Sequence, residues 1–204
     1  SRWCAGRNRR CGGRRRSAAW SRSTFDAAVT VYRQRLTDEI VPVFNPDFTS
    51  SVVNRADKSR RWGIELEGGW RVGERLRLSA TYAYLRATQP DGFGGTMREL
   101  RRARHSGSIA ADGAIGRLSY GAALAYTGRR ADQDFDVFPA RNVSLGAYWL
   151  ADARLAYRVS GRVELFVRGA NLLGQRYQDV FGYRTEGRGL LAGISLRADG
   201  RSSP

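Results

Sequence analysis

The chain has 204 residues, of which 35 are Lys or Arg and 19 are Asp or Glu, so its formal net charge is +16. This length predicts one domain, and because no run of 18 apolar residues occurs, the sequence predicts no transmembrane helix. A charge of this size is typical of proteins that bind nucleic acid or an anionic membrane surface. However, Lys58 is the only lysine, and a nearly pure arginine excess also arises from GC-rich codons without selection for binding.

Residues 1–22 differ from the rest of the chain. They hold eight arginines, no acid and both cysteines, Cys4 and Cys11. The segment has no two-residue or 3.6-residue period, is too polar for a signal peptide, and its two cysteines specify no metal or disulfide site. We predict that 1–22 is a non-native-looking segment, disordered or read out of frame, with a basic nucleic-acid arm as the alternative. The structured part is then 23–198, and 199–204 is a tail.

From Thr24 onward, apolar and polar residues alternate in segments of about ten residues, which is typical of β-strands. In "LRLSATYAY" (76–84), for example, the leucines and tyrosines point one way, while Arg77, Ser79 and Thr81 point the other. This period predicts an all-β protein with eight strands, in chain order 24–38, 58–72, 75–87, 102–114, 117–129, 145–159, 162–174 and 187–197.

Two all-β architectures fit this alternation: a soluble sandwich and a transmembrane barrel with lipid outside and a polar lumen. Two features favour the barrel. The polar faces carry charges deep within strands, such as Glu65, Glu67 and Asp152. The connections also alternate between short turns near Glu74, Ile115 and Gly161 and long loops at 88–101, 130–144 and 175–186. We therefore expect the short turns in the periplasm and the long loops outside the cell. A closed eight-stranded barrel and part of a larger one both fit this pattern.

The end of the chain, "VRGANLLGQRYQDVFGYRTEGRGLLAGISL", resembles the last strands of TonB-dependent outer-membrane receptors. The residues that carry this resemblance are Asn171, Leu172, Tyr177, Gly182, Tyr183, Thr185, Gly187 and Arg188. Leu173 and Gly174 depart from the Phe and Asp that are usual there. Within that superfamily, "LRRARHSGSIAADG" and "TGRRADQDFDVFPARNVSLGAYWLADARLAY" are most similar to the cobalamin (vitamin B12) receptors, while siderophore receptors share the terminal motif.

The resemblance implies that residues 24–197 are the last eight strands of a 22-stranded antiparallel transmembrane β-barrel, without the plug domain. It implies energy-coupled uptake of a large scarce nutrient across the outer membrane, with cobalamin favoured over a ferric siderophore. The implied partners are the TonB complex, through the missing plug, the barrel-assembly machinery and outer-membrane lipid, with no nucleic acid. Related barrels end in an aromatic residue, whereas this chain has Ala198 at that position.

By the same resemblance, ligand contacts fall on Arg101, Phe135 and Tyr183. A guanidinium donates to amide carbonyls, and aromatic rings cover a flat ligand. Phe135 stands where the family tends to have tyrosine, so a hydroxyl contact is lost there. The alternative interpretations are that Arg101 neutralises a carboxylate and that Tyr183 is an aromatic of the barrel rim.

No other motif predicts chemistry. Asp132, Asp134 and Asp136 begin like a calcium loop, but Val137 and Val143 replace its glycine and final glutamate. His105 beside Ser106 has no orienting carboxylate that the sequence places nearby, so we predict no enzyme. The sequence also predicts no metal site and no cofactor.

Overall fold

The computed structural model describes residues 23–44, 49–91, 94–137 and 139–197. The predicted 1–22 segment, Ala198 and the 199–204 tail lie outside the described residues. Within the described ranges, no helix is long and apolar enough to cross a membrane.

Thirteen strands are found in the described ranges. They are β1 (Thr24–Leu36), β2 (Glu39–Phe44), β3 (Ser50–Arg55), β4 (Ser59–Val72), β5 (Leu76–Pro90), β6 (Thr96–Arg98), β7 (His105–Ile115), β8 (Leu118–Thr127), β9 (Arg130–Asp134), β10 (Arg141–Leu145), β11 (Tyr148–Arg158), β12 (Val163–Ala170) and β13 (Gly189–Leu196). Eight of them form one antiparallel sheet in the order β1-β4-β5-β7-β8-β11-β12-β13, to which β6 adds by pairing with β5. The prediction of an all-β fold with eight main strands is confirmed.

The predicted strand ends are less accurate than the strands themselves. β12 ends at Ala170 rather than at 174 because Asn171 has a positive φ of 48° and turns the chain out of the sheet. β5 continues past 87 to Pro90 because its last residues pair with β6. Both differences depend on long-range pairing or on one unusual backbone angle, which a two-residue period does not encode.

Two hairpins extend from the connections and were not predicted. β2 pairs with β3, and β9 pairs with β10, each as a separate two-stranded sheet. β2 contains Pro42, and because proline is rarely tolerated inside a sheet, the sequence does not indicate a strand there. In β9 the run Arg-Ala-Asp-Gln-Asp has little apolar content, so it was assigned to the loop 130–144.

The register of the main sheet separates its two faces cleanly. Residues directly opposite one another follow a row across six strands that is entirely apolar: Ala27, Gly68, Ala80, Ile109, Leu124 and Ala151. A row on the other face is largely polar: Glu65, Ala83, Ser106, Thr127 and Tyr148. On the apolar face, large side chains stay exposed, such as Phe25 at 74% and Ile109 at 57%. A face of this kind suits contact with lipid rather than with water.

Aromatic residues border this apolar face near both ends of the strands. Phe25, Trp70, Tyr120 and Tyr157 lie toward the short turns, and Trp62, Tyr82, Tyr84, Tyr126 and Trp149 lie toward the long connections. Ring centroids are 5.2 Å apart for Trp62 and Tyr84 and 4.7 Å apart for Tyr126 and Trp149. Trp62 and Trp70 are eight residues apart on β4, or about 26 Å of strand at roughly 3.3 Å per residue. After a strand tilt of about 35–45°, this separation is roughly 20 Å along the barrel axis, which fits within the roughly 25 Å apolar band of an outer-membrane barrel.

The connections place the loops on two distinct rims. The short turns after β4, β7 and β11 lie on one rim, because all the main strands are antiparallel neighbours. The four longer connections, 37–58, 91–104, 128–147 and 171–188, lie on the opposite rim. The three predicted ligand residues are all on this second rim.

Candidate binding site on the long-loop rim

Arg101, Phe135 and Tyr183 lie on three different connections of the long-loop rim. Phe135 is 61% exposed and Tyr183 is 73% exposed, so both rings are available to a ligand. The Arg101 side chain is 42% exposed. Its backbone has a positive φ of 60°, an uncommon conformation for a non-glycine residue that is often found at functional sites.

Asp132 on β9 links these three connections. Its side chain is fully buried, and its Oδ1 accepts hydrogen bonds from Arg101 Nε and from the Gln133 backbone N–H, both at 2.9 Å. Its Oδ2 accepts one from the Phe181 backbone N–H at 2.8 Å. The Arg101 backbone N–H also donates to the carbonyl of Ala131 at 2.7 Å. One buried carboxylate therefore holds the connections that carry Arg101, Phe135 and Tyr183 in one cluster.

The electrostatics of Asp132 favour the charged form. Burial alone would raise the pKa of Asp132, but the backbone N–H groups of Phe181 and Gln133 and the Arg101 guanidinium outweigh burial and lower this pKa below its ordinary value. The ion pair between Arg101 and Asp132 agrees with the alternative interpretation of Arg101, in which it neutralises a carboxylate. A ligand contact at Arg101 stays a prediction.

A second ion pair joins the same connections. Arg130 is buried, and its Nη1 donates to Asp179 at 2.8 Å while its Nη2 donates to the Gln178 carbonyl at 2.9 Å. Tyr148 donates its hydroxyl to the same Asp179 oxygen at 2.9 Å, and its ring lies 5.2 Å below the Arg130 guanidinium. The hydrogen bond from Arg130 is the main cause that lowers the pKa of Asp179 below its ordinary value. Among the described residues, the buried Arg130 Nε has no hydrogen-bond partner.

Glu99 links the connection 91–104, which carries Arg101, to the main sheet. Its carboxylate accepts two hydrogen bonds from Arg61 on β4, at 2.6 and 2.7 Å, and one from Arg102 at 3.1 Å. Although burial alone would raise the pKa of Glu99, the two guanidinium groups lower it. This paired arrangement orients the segment that precedes Arg101.

The motif that carries the family resemblance shapes the last connection. Asn171 donates its amide to the carbonyls of Gln175 and Glu186, at 2.9 and 3.3 Å, and accepts the Gln175 N–H at 2.9 Å. Thr185 donates its hydroxyl to the Tyr177 carbonyl at 2.7 Å. Arg188 donates to the Leu172 carbonyl at 3.1 Å. The polar residues of the motif thus fold the loop that presents Tyr183.

The glycines beside Tyr183 have different roles. Gly182 has a φ of 85°, a conformation that side chains other than glycine rarely adopt. Gly187 is not among the residues with positive φ. Of these two glycines, only Gly182 therefore has a backbone conformation that favours glycine.

A cavity of about 700 Å³ opens between the end of β10, with the two residues that follow it, and the last connection. Its walls include Arg176, Arg184, Gln178 and Phe181, all on the connection that also carries Tyr183. The mixture of guanidinium, amide and aromatic groups can donate hydrogen bonds and cover an apolar surface. The sequence resemblance had not selected these four residues.

His105 and Ser106, the pair considered for catalysis in the sequence, lie at the start of β7. His105 accepts or donates a hydrogen bond with the Tyr82 hydroxyl at 2.8 Å and packs on Tyr84 in the aromatic border. Ser106 follows it on the opposite face. Among the described residues, no group of three or more His, Cys, Asp or Glu side chains is placed to hold a metal ion.

The residues missed by the sequence-based prediction are mainly those that hold the loops together: Asp132, Arg130, Asp179 and Tyr148. Arg130 and Asp132 lie within the motif that supported the cobalamin-receptor resemblance. The resemblance includes these two residues, but their hydrogen-bond partners lie 31 to 49 residues away in the chain. Only the folded loops bring those partners into contact.

An open antiparallel sheet with one apolar face between two aromatic borders, one polar face, and long loops on one rim is a wall segment of a transmembrane β-barrel. The family model for the TonB dependent receptor-like β-barrel matches residues 12–172, which is more than half of the chain. The chain belongs to this family.

Solved structures show the same fold at low sequence identity. The ferric-catecholate import receptor Fiu from E. coli K12 aligns with a TM-score of 0.65 and 22% identity, covering 84% of this chain and 25% of Fiu. The pyoverdine outer-membrane receptor FpvA from Pseudomonas aeruginosa PAO1 aligns with a TM-score of 0.69 and 14% identity, covering 85% and 27%. The copper transporter OprC aligns with a TM-score of 0.65 and 16% identity, covering 84% and 29%. The chain thus spans about a quarter of the length of each.

Proposed function

We propose that residues 24–197 form part of the barrel wall and several ligand-gripping loops of an energy-coupled outer-membrane receptor for a large scarce nutrient. The observation that carries this proposal is the loop cluster around Asp132, which presents the exposed rings of Phe135 and Tyr183 at one rim of a membrane-type wall. A buried anchor beneath exposed rings gives a preorganised surface, which lowers the entropic cost of binding.

The main sheet requires further strands to become a complete wall. In the described residues, β1 and β13 each pair with one neighbour only, and an unpaired edge of this length exposes a row of backbone donors and acceptors. We propose that other strands of a 22-stranded barrel pair with these edges, and that a plug domain in the same receptor contacts the TonB complex. The barrel-assembly machinery would insert the complete barrel.

Cobalamin is our first candidate for the ligand. The resemblance at 100–113 and 127–157 supports it, and a corrinoid fringed with amides suits exposed rings beside amide and guanidinium donors. A ferric siderophore is the second candidate. Fiu, named as a ferric-catecholate import receptor, and FpvA, named as a pyoverdine receptor, share the fold. Arg176 and Arg184 in the cavity suit an anionic chelate.

A binding assay on the complete receptor separates these candidates. Purified receptor is titrated with cobalamin, with a ferric catecholate and with a ferric hydroxamate, and tryptophan fluorescence is followed. We expect saturable binding of cobalamin. Binding of a ferric chelate alone would replace cobalamin by the second candidate, and the absence of binding by all three would contradict a role in uptake of these nutrients.

Tyr183 gives a residue-level test of the same proposal. Tyr183→Ala should weaken ligand binding by about 1–2 kcal/mol, because one amphipathic contact among many is lost, and Tyr183→Phe should lose less because the ring remains. Tyr157→Ala, at an exposed tyrosine of the apolar face toward the other rim, is the matched control and should leave affinity unchanged. Equal affinity of Tyr183→Ala and the unsubstituted receptor would make this loop a plain turn. Residues 24–204 alone should bind no ligand measurably.

A further inference from the structure

Five arginines lie on the apolar side of the sheet, at the outer edge of its aromatic border on the long-loop rim and just beyond it. They are Arg33 and Arg35 on β1, Arg60 on β4, Arg86 on β5 and Arg98 on β6, and all five are exposed. We refer to them as the arginine patch. The strand register places them on this side, because each arginine lies on the same face as the apolar side chains of its own strand or of the strand that pairs with it.

The register arranges the arginine patch in two adjacent rows. In the first, Trp62 lies directly between Arg33 and Arg86. In the second, Arg35 is opposite Arg60, Arg60 is opposite Thr88, and Thr88 is opposite Arg98. Side chains directly opposite one another in antiparallel strands have Cβ atoms roughly 5 Å apart. The five positive charges therefore share one small area across four strands.

The arginine patch lacks counter-charges within the described part of the chain. None of its five members forms an ion pair there. Two acids of the same rim are already engaged with other arginines: Glu39 with Arg55, and Glu99 with Arg61 and Arg102. Because like charges directly opposite one another destabilise a sheet, the Arg35–Arg60 pair calls for an external anion.

The depth of the arginine patch indicates which anion it meets. The first row is level with Trp62, which marks the edge of the apolar band, and the second lies two residues further along, or about 7 Å. The polar headgroup layer extends roughly 5–8 Å beyond the hydrocarbon on each side of a bilayer. Both rows therefore lie at headgroup level, and long arginine side chains reach toward this layer readily.

We propose that the arginine patch binds phosphate-bearing headgroups with a net negative charge, on lipids in the outer leaflet around the barrel. The inference rests on the proposed membrane location and adds a specific lipid contact to it. Guanidinium groups bind phosphate oxygens through two parallel hydrogen bonds, which makes arginine suited to this partner. A lipid is favoured over a nucleic acid because the patch is continuous with the aromatic border and with the exposed apolar face.

β4 and β5, which carry Arg60 and Arg86, also provide a matched control for the test. Arg71 on β4 and Arg77 on β5 are also exposed and directly opposite each other, but they lie on the polar face. R60Q/R86Q removes two charges from the arginine patch, and R71Q/R77Q removes two charges from the same strands on the other face. Both double variants lower the net charge equally.

The complete receptor is incorporated into nanodiscs that contain phosphatidylcholine and phosphatidylglycerol, and the lipids that remain bound after detergent release are counted by native mass spectrometry. The unsubstituted receptor should retain phosphatidylglycerol over phosphatidylcholine. R60Q/R86Q should lower retention of phosphatidylglycerol roughly tenfold or more, given the typical contribution of a basic residue near an anionic surface. R71Q/R77Q should retain it like the unsubstituted receptor.

Three results would overturn the inference. The first is equal retention of both lipids by the unsubstituted receptor. The second is equal loss in the two double variants, which would show an effect of net charge alone. The third is a receptor that shows no preference between the two lipids and from which a double-stranded oligonucleotide displaces the retained lipid. This result would indicate a nucleic-acid surface. Any of these in a receptor that inserts into membranes leaves the proposed function intact, whereas failure to insert would overturn both.

Discussion

Asp132 joins three connections of the long-loop rim through its carboxylate. It is fully buried, yet it accepts three hydrogen bonds, from Arg101, Gln133 and Phe181. A buried carboxylate is costly unless it is paired and hydrogen-bonded, and removal of one partner leaves the other uncompensated. The position of Tyr183, two residues after Phe181, therefore depends on a charge that lies 51 residues earlier in the chain.

We expect Asp132→Asn to loosen the loop cluster without unfolding the sheet. The amide keeps the size of the side chain, but its N–H₂ group faces a donor from which the carboxylate accepts a hydrogen bond. Loss of that hydrogen bond should destabilise the loop cluster by about 2–3 kcal/mol. Hydrogen exchange in the complete receptor should become faster at the Arg101 and Phe181 amides. The control is Asp136→Asn, at an exposed acid of the same connection. Equal exchange in both variants would contradict the role of Asp132.

At the scale of single elements, alternation in the strands decides which face meets lipid. Leu124 and Ala123 on β8 are neighbours in the chain, yet they lie in rows of opposite character: Leu124 is opposite Ile109 and Ala151, and Ala123 is opposite Ala110 and Asp152. Adjacent positions on one strand thus differ in environment more than distant positions on the same face.

Leu124→Arg and Ala123→Arg form a matched pair for this assignment. An arginine at Leu124 should destabilise the complete barrel by about 2–4 kcal/mol because it enters the lipid face near midstrand. The same change at Ala123 should be mild, because the side chain enters the polar face. Denaturant unfolding in lipid vesicles, followed by tryptophan fluorescence, measures both. Equal destabilisation would mean that the faces are assigned wrongly.

The long connections should respond to acid as a group. Glu99, Asp132 and Asp179 all have pKa values lowered by their arginine or backbone donors. A carboxylate with a lowered folded pKa stabilises the folded state fully above its unfolded value near 4, and this contribution is lost as the pH falls through the folded value. Limited proteolysis of the complete receptor by an acid-active protease should therefore cut the connections faster at pH 3 than at pH 5. Uniform cutting across this range would contradict the linkage.

At the scale of the whole molecule, the order of the strands defines two rims with different loops. Every main strand pairs with its neighbour in chain order among the main strands, so successive connections alternate between the two rims. The short turns therefore fall on one rim and the long connections on the other, because short and long connections also alternate along the chain. This arrangement places the Asp132 cluster, the cavity and the arginine patch on the same rim, opposite the short turns.

Cysteine labelling tests which rim faces the outside of the cell. In a complete receptor whose other cysteines are replaced by serine, a cysteine at Glu186 should react with a membrane-impermeant maleimide in whole cells. A cysteine at Ile115, which is 56% exposed beside a short turn, should react only after the outer membrane is opened. Labelling at 115 but not at 186 in intact cells would reverse the topology.

The sequence by itself determined the eight main strands, their two faces and the family resemblance. Those features depend on a two-residue period and on local motifs such as Asn171 through Arg188, and both can be read along the chain. The sequence also selected Phe135 and Tyr183, whose exposure in the structure is compatible with ligand contact.

Only the tertiary structure decided which residues meet across the rim. The hydrogen bonds from Arg101 and Phe181 to Asp132, the pairing of Arg130 with Asp179 and the positions of β2, β3, β9 and β10 all depend on contacts between segments far apart in the chain. The arginine patch likewise requires the register, because Arg35, Arg60 and Arg98 become neighbours only when their strands pair. Alternation assigns a side chain to a face, but hydrogen bonding between strands assigns its neighbours.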